Sequence, residues 1–169
     1  FDVALQAFPD QWTELTPCLT KVYSWVGYDI DGRTDIGWAD AIRLRLSEKH
    51  EQLCRYRKSA EEIEEKSSSL TKLKDILTQA CESTQRDLIR FKEDMHDPKK
   101  LIAAANNLTR DTKHRVRSTA PLFPLIEEAV DQVTTQTSRI QLLTLRANLR
   151  TFGLGTARIH FRLNARHVI

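Results

Sequence analysis

The most unusual chemistry in the sequence lies near its end. There Arg158, His160, Arg162, Asn164 and Arg166 alternate with Ile159, Phe161, Leu163 and Ala165. A period of two places successive side chains on opposite faces of a strand, giving one apolar face and one strongly basic face. The forked donors of arginine match phosphate and carboxylate oxygens. Three arginines and a histidine buried together without anions would be costly. The face therefore suits either the wall of an anionic pocket or an exposed surface, the latter including salt bridges to elements outside the sequence.

A second cluster runs from Trp25 to Asp35 and pairs Asp29 and Asp31 with Gly32. If Gly32 is taken as the sixth position of a calcium loop, the two aspartates fall at positions three and five. The first and twelfth positions are then Gly27 and Trp38, so both charged anchor ligands are missing. The competing reading is a turn at Asp31-Gly32, with Asp35 capping the next helix and Trp25 in the core.

Other constellations are absent. His50, His96, His114, His160 and His167 show no metal-ligand spacing, and no phosphate loop, dinucleotide fingerprint or nucleophile elbow occurs. Arg139, Arg146 and Arg150 share a helix face, but no interleaved aromatics accompany them, which favours intramolecular ion pairing over nucleic acid. Cys18, Cys54 and Cys81 are odd in number and widely spaced, as expected of core or helix-seam thiols in a reducing cytoplasm. The sequon at Asn107 falls within an expected helix and is discounted.

These residues must be positioned by helices. Five Gly and five Pro in 169 residues are sparse punctuation. Asp10 is expected to cap a short helix through Trp12 and Leu15, and a second short helix is expected from Cys18 to about Ser24. A long helix from Thr34 or Asp35 to about Lys66 carries Trp38, Ile42, Leu46, Leu53, Tyr56, Ala60 and Ile63 on one stripe. Ser67, Ser68 and Ser69 break it. Leu70, Leu73, Leu77, Ala80, Leu88 and Phe91 repeat the spacing in a helix to about Met95, so the two form an antiparallel hairpin. Asp97-Pro98 opens a helix to about Arg117. Ser118 or Thr119, with Pro121, opens a last helix that ends at Phe152-Gly153. Glu61, Glu62, Glu64 and Glu65 read as a solvated helix face.

Charge is uneven around a net +3: residues 1–40 carry two basic and seven acidic side chains, and residues 101–169 carry ten and four. The basic end could meet an anion, or the two ends could complement each other within the fold. No run approaches the roughly 18 apolar residues of a membrane span, and residues 1–25 lack a signal-peptide pattern. The chain starts at Phe1 and stops soon after the expected strand, which reads as a segment of a longer polypeptide.

The two candidates carry a resemblance together. Ser24-Trp25-Val26-Gly27-Tyr28-Asp29-Ile30-Asp31-Gly32 resembles the S-W-x-G-G-D-R-D-G-N-P segment of phosphoenolpyruvate carboxylases. Phe152-Gly153-Leu154-Gly155-Thr156-Ala157-Arg158-Ile159-His160-Phe161-Arg162 resembles that family's F-G-L-x-x-x-x-L-D-I-R-Q segment. The order matches, with a helical stretch between. Tyr28 stands for a glycine, Ile30 for the arginine of D-R-D-G, Arg33-Thr34 for Asn-Pro, His160 for an aspartate and Leu163 for a glutamine.

The resemblance implies a strand of an α/β barrel on which Arg162 faces the substrate as the catalytic cation. Trp25, Asp29 and Asp31 would shape the substrate pocket, with Arg158 on the same basic face. It implies a reaction of phosphoenolpyruvate with bicarbonate to give oxaloacetate and phosphate, feeding the tricarboxylic acid cycle. Mg2+ or Mn2+ would be required in the complete, cytoplasmic and homo-oligomeric enzyme. No metal site, nucleic acid or membrane contact is expected within these 169 residues, and the segment alone is not expected to be active. The alternative is a helical interaction or regulatory module from a degenerate, non-catalytic homologue. The expected fold is an all-α antiparallel bundle of long helical hairpins with at most one short terminal strand. Residues 1–155 would form the helical domain, and residues 156–169 a strand segment of the barrel of a longer protein.

Overall fold

The computed structural model describes residues 1–18, 20–28, 37–110, 112 and 115–159. Its helices are α1 (Asp2–Ala7), α2 (Trp38–Glu61), α3 (Ser68–Arg90), α4 (Pro98–Thr109), α5 (Phe123–Gln132) and α6 (Gln136–Phe152). Short 3-10 turns occupy Trp12–Glu14 and Ala120–Leu122, and two short strands, β1 (Tyr23–Ser24) and β2 (Arg158–Ile159), complete the described elements.

Four helices close a ring: α2 packs on α3, α3 on α5, α5 on α6, and α6 on α2, while α4 lies against α3. Polar contacts fix the directions. Lys74 Nζ donates to the Ile63 carbonyl at 3.0 Å, and Leu46 clusters with Leu88 and Phe91 at the other end of the pair, so α2 and α3 are antiparallel. Ser69 Oγ donates to Glu128 Oε2 at 2.8 Å, joining the start of α3 to the end of α5. Tyr56 reaches Asn148 while Glu65 reaches Thr135, so α2 and α6 also run antiparallel.

The core is the merged stripe of all four helices. Leu53, Leu73, Leu77, Ile126, Leu142 and Leu149 are completely buried in it. Each such side chain contributes roughly 2 kcal/mol by leaving water. The mostly helical, antiparallel architecture is the one the hydrophobic spacing predicts. Among the described residues no helix is long and apolar enough to cross a membrane.

The caps explain most helix starts. Ser67 Oγ accepts from Leu70 N at 3.1 Å, and Asp97 Oδ1 accepts from Lys99 N at 2.9 Å ahead of Pro98. Helix α2 begins later than expected: Gly37 is its N-cap, and Asp40 Oδ2 accepts the Gly37 N–H at 3.3 Å. The proposed Asp35 cap lies outside the described residues.

Several boundaries differ from the sequence reading. The first helix is Asp2–Ala7, and Asp10 caps nothing, since the following turn has Gln11 as its N-cap without a side-chain bond. Where a helix is expected from Cys18 to Ser24, the described residues 18 and 20–22 are not helical and strand β1 takes the end. Helix α2 stops at Glu61, α3 at Arg90 and α4 at Thr109.

The expected last helix is two helices. Val133 is extended (φ −84°, ψ 146°), and Thr135 caps α6 by accepting from Ser138 N at 3.3 Å. Glu65 supplies the physical reason. Its Oε1 accepts from Thr134 N and from Thr134 Oγ1, and its Oε2 accepts from Thr135 N at 3.1 Å and Thr135 Oγ1 at 2.8 Å. Glu65 is therefore a bridging acceptor rather than only part of a solvated face.

The backbone donors of Thr134 and then Thr135 hold the Glu65 carboxyl down to about 2. A carboxylate with a depressed folded-state pKa stabilises the fold above its ordinary pKa, and that contribution disappears as pH falls from about 4.5 towards 2. Thermal melts of the wild type and Glu65→Gln should therefore differ near neutral pH, and the gap should close through that acid window. A gap that is constant with pH would contradict the bridge.

Candidate functional site

The two segments singled out by their chemistry meet. Strands β1 and β2 pair in parallel with Tyr23 opposite Arg158 and Ser24 opposite Ile159. The Arg158 N–H donates to the Val22 carbonyl at 2.8 Å. Arg158 is exposed and Ile159 half-buried, the alternation expected of a two-faced strand.

Helix α2 holds this pair against the bundle. Tyr28, 2% exposed, donates its hydroxyl to Glu48 Oε2 at 3.0 Å. Arg45 Nη1 donates to the same carboxylate oxygen at 3.1 Å and to the Ala157 carbonyl at 3.3 Å. One helix turn thus ties the segment after β1 to the segment before β2. Gly155 makes room for it, because a Cβ there would lie 2.1 Å from Arg45 Nη1. About two turns further along α2 than Glu48, Tyr56 donates to the Gly153 carbonyl at 2.8 Å and to the Asn148 carbonyl at 3.2 Å, fixing the turn between α6 and β2. Gly153 itself has φ +61°, a conformation that glycine adopts readily.

Burial, and next the hydrogen bond to Glu48, push the Tyr28 phenol well above its ordinary range. Tyr28→Phe should lower stability by about 1.5–3 kcal/mol, the worth of one hydrogen bond to a charged acceptor. Chemical denaturation of the two chains measures it, and an unchanged midpoint would contradict the anchoring role.

Of the expected site residues, Trp25 follows directly on β1 and is 66% exposed, so it is not the core residue of the turn reading. Arg158 lies on β2. Asp29, Asp31 and Arg162 lie outside the described residues, as do His160 and Arg166. The calcium-loop and turn readings at residues 29–36 lie there too. A hollow of about 400 Å³ opens between α2, α6 and Thr156, bordered by Gln52, Arg55, Lys58 and Asn148. Among the described residues no group of three or more His, Cys, Asp or Glu gathers as a metal site.

Among the described residues the arginines of α6 meet carbonyls and a ring rather than carboxylates. Arg146 donates to the Thr13 and Leu15 carbonyls at 2.8 and 2.9 Å. Arg139 donates to the Val133 carbonyl at 3.3 Å. Arg150 lies 5.3 Å from the Phe123 ring centroid. Cys81 is buried and Cys54 half-buried along the α2–α3 seam, as expected, whereas Cys18 is exposed.

Two charged residues escaped the sequence reading. Asp87 and Arg115 form a buried pair in which Arg115 Nη2 donates to both carboxylate oxygens, each at 2.9 Å. Lys49 Nζ donates to the Val116 carbonyl at 2.7 Å close by. Burial, and then the Arg115 guanidinium, hold the Lys49 pKa below its ordinary range, while Asp87 pulls it upward.

Compared with known proteins, the chain matches no family model, no curated protein and no solved structure.

Proposed function

We propose that this chain is a strand–helical bundle–strand unit of a phosphoenolpyruvate carboxylase-like enzyme. The observation that carries the reading is the parallel pairing of β1 with β2. It sets the Trp25 segment beside the Arg158 segment, so the two stretches that carry the resemblance become neighbours although about 130 residues separate them in sequence. Parallel strands need a long crossover between them, and here the crossover is the bundle itself. Parallel pairs belong to sheets covered on both faces, which favours a larger α/β protein around this pair.

In this reading Arg162 meets the phosphate of phosphoenolpyruvate. Bicarbonate attacks phosphorus, giving carboxyphosphate and an enolate, and carbon dioxide then joins the enolate to yield oxaloacetate and phosphate. Fixed guanidinium donors are most effective where that negative charge develops. Arg158, Trp25, Asp29 and Asp31 would border the substrate. The Mg2+ or Mn2+ that accompanies the family reaction would draw its ligands from outside the described residues. A cytoplasmic, homo-oligomeric enzyme feeding the tricarboxylic acid cycle belongs to the same proposal.

Tyr28 favours a second reading. The residue standing in place of a family glycine is a buried anchor here, as suits a homologue that keeps the scaffold and serves as an interaction or regulatory module.

The test is a coupled assay for oxaloacetate on the protein that carries this sequence. Bicarbonate-dependent product, lost in Arg162→Ala with folding intact, is the expected result. No bicarbonate-dependent product with Mg2+ or Mn2+ present would reject the enzymatic reading and leave the second.

A further inference from the structure

The hollow between α2, α6 and Thr156 is a cavity that the carboxylase reading leaves unused. Its volume is about 400 Å³, within the range of pockets that take small molecules. Gln52, Arg55 and Glu62 line it from α2, and their spacing places them on one face of that helix. Lys58 joins them from the same helix, Asn148 faces them from the end of α6, and Thr156 closes the hollow ahead of β2.

The walls are fixed by the fold. Tyr56, 2% exposed, donates to the Asn148 and Gly153 carbonyls and so holds the end of α6 against α2. These bonds also take up carbonyls at the end of α6, which weakens the negative potential that a helix C-terminus presents. Gln52 is 4% exposed, so its amide belongs to the depth of the hollow and not to its rim.

The charges that face the hollow are the ones without counterions. Arg55 and Lys58 are exposed. Among the described residues neither pairs with a carboxylate, although Glu62 lies one turn beyond Lys58. Arg57, between them in sequence, is paired with Glu61 at 3.5 Å and does not line the hollow.

We propose that this hollow binds a small organic anion, a phosphate- or carboxylate-bearing metabolite, with its anionic end on Arg55 and Lys58. The forked donors of Arg55 match two oxygens of either group, and Lys58 adds a point charge on a flexible stem. The amides of Gln52 and Asn148 and the hydroxyl of Thr156 offer hydrogen bonds to the uncharged part of the ligand. Glu62 stands about 10 Å from Arg55 along the helix axis, so it receives a hydroxyl or amine at the other end and sets the orientation. The inference rests on the hollow alone and is independent of the carboxylase reading.

The test is a nuclear magnetic resonance titration of the isotopically labelled chain at constant ionic strength, with inorganic phosphate and separately with succinate. The expected result is a saturable shift of the Gln52 and Asn148 side-chain amides and of the Thr156 backbone amide. At least one of the two anions should bind with a dissociation constant of about 1 mM or below. Arg55→Gln combined with Lys58→Gln should weaken that binding at least about tenfold, the loss expected when charged donors are removed. Lys72→Gln combined with Arg86→Gln removes the same charge from exposed positions on α3 and should leave the affinity within about twofold. Saturation by phosphate alone assigns a phosphoryl group, by succinate alone a carboxylate, and by both the chemistry they share. Shifts that saturate with neither anion would overturn the proposal. So would equal affinity in the two double variants.

Discussion

Replacing Asp87 by alanine should destabilise the chain by about 3–5 kcal/mol, the cost of leaving one partner of a buried ion pair uncompensated. Asp87 is 5% exposed, and the Arg115 side chain is 8% exposed. Besides the two arginine bonds, Asp87 Oδ1 accepts from Asn107 Nδ2. The carboxylate thus joins α3 to α4 and to the loop that precedes α5. Without it, the partners that Arg115 keeps among the described residues are the Leu108 and Arg110 carbonyls, and its Nε has no partner among them. Lys49 adds to the expected loss, since its ammonium would face Arg115 with the nearby anion removed. Urea denaturation measures the difference. The double substitution Asp87→Leu with Arg115→Met should recover much of it, because replacing both members of a buried pair by apolar groups is often close to neutral. A double variant no more stable than Asp87→Ala would show that the cost lies in packing and not in the orphaned charge.

Truncating Leu77 to alanine should cost about 2–5 kcal/mol, combining lost transfer energy with the cavity left behind. Leu77 is fully buried at the middle of α3, the helix that faces α2 on one side and α5 on the other. Neither neighbour can collapse into the gap without breaking its own contacts, which places the effect in the upper part of that range. Ile89, on the same helix but 52% exposed, is the control. Ile89→Ala should stay within about 0.5 kcal/mol. Equal losses at the two positions would contradict the assigned buried face.

The bundle was legible because its signals are local. The three/four spacing of Leu70, Leu73, Leu77 and Ala80 marks a buried face whatever packs on it. Ser67 and Asp97 announce helix starts through bonds to their own backbone. What escaped the sequence depends on distant partners. Nothing near Thr134 and Thr135 says that their N–H groups will find Glu65, so the break between α5 and α6 was invisible. Strand β1 was masked for a similar reason: two residues carry no period, and only their pairing with β2 defines them.

Asp87 did leave a trace. It lies three residues from Thr84 and four from Phe91, on the stripe that is otherwise buried, where a carboxylate needs a partner. Of the candidate site, the association of the two segments was legible only as an order of motifs. Its supports, Arg45, Glu48 and Tyr56 on α2, read as ordinary helix residues until the fold brought Tyr28, Ala157 and Gly153 to them.

The claim on which the functional reading depends is that the Trp25 and Arg158 segments lie side by side. Nuclear magnetic resonance of the isotopically labelled chain tests it directly. The account predicts cross-strand contacts between Tyr23 and Arg158, and slow hydrogen exchange at the Arg158 amide, which donates to the Val22 carbonyl. An Arg158 amide exchanging at the rate of an open chain, with no contact to Tyr23, would contradict it.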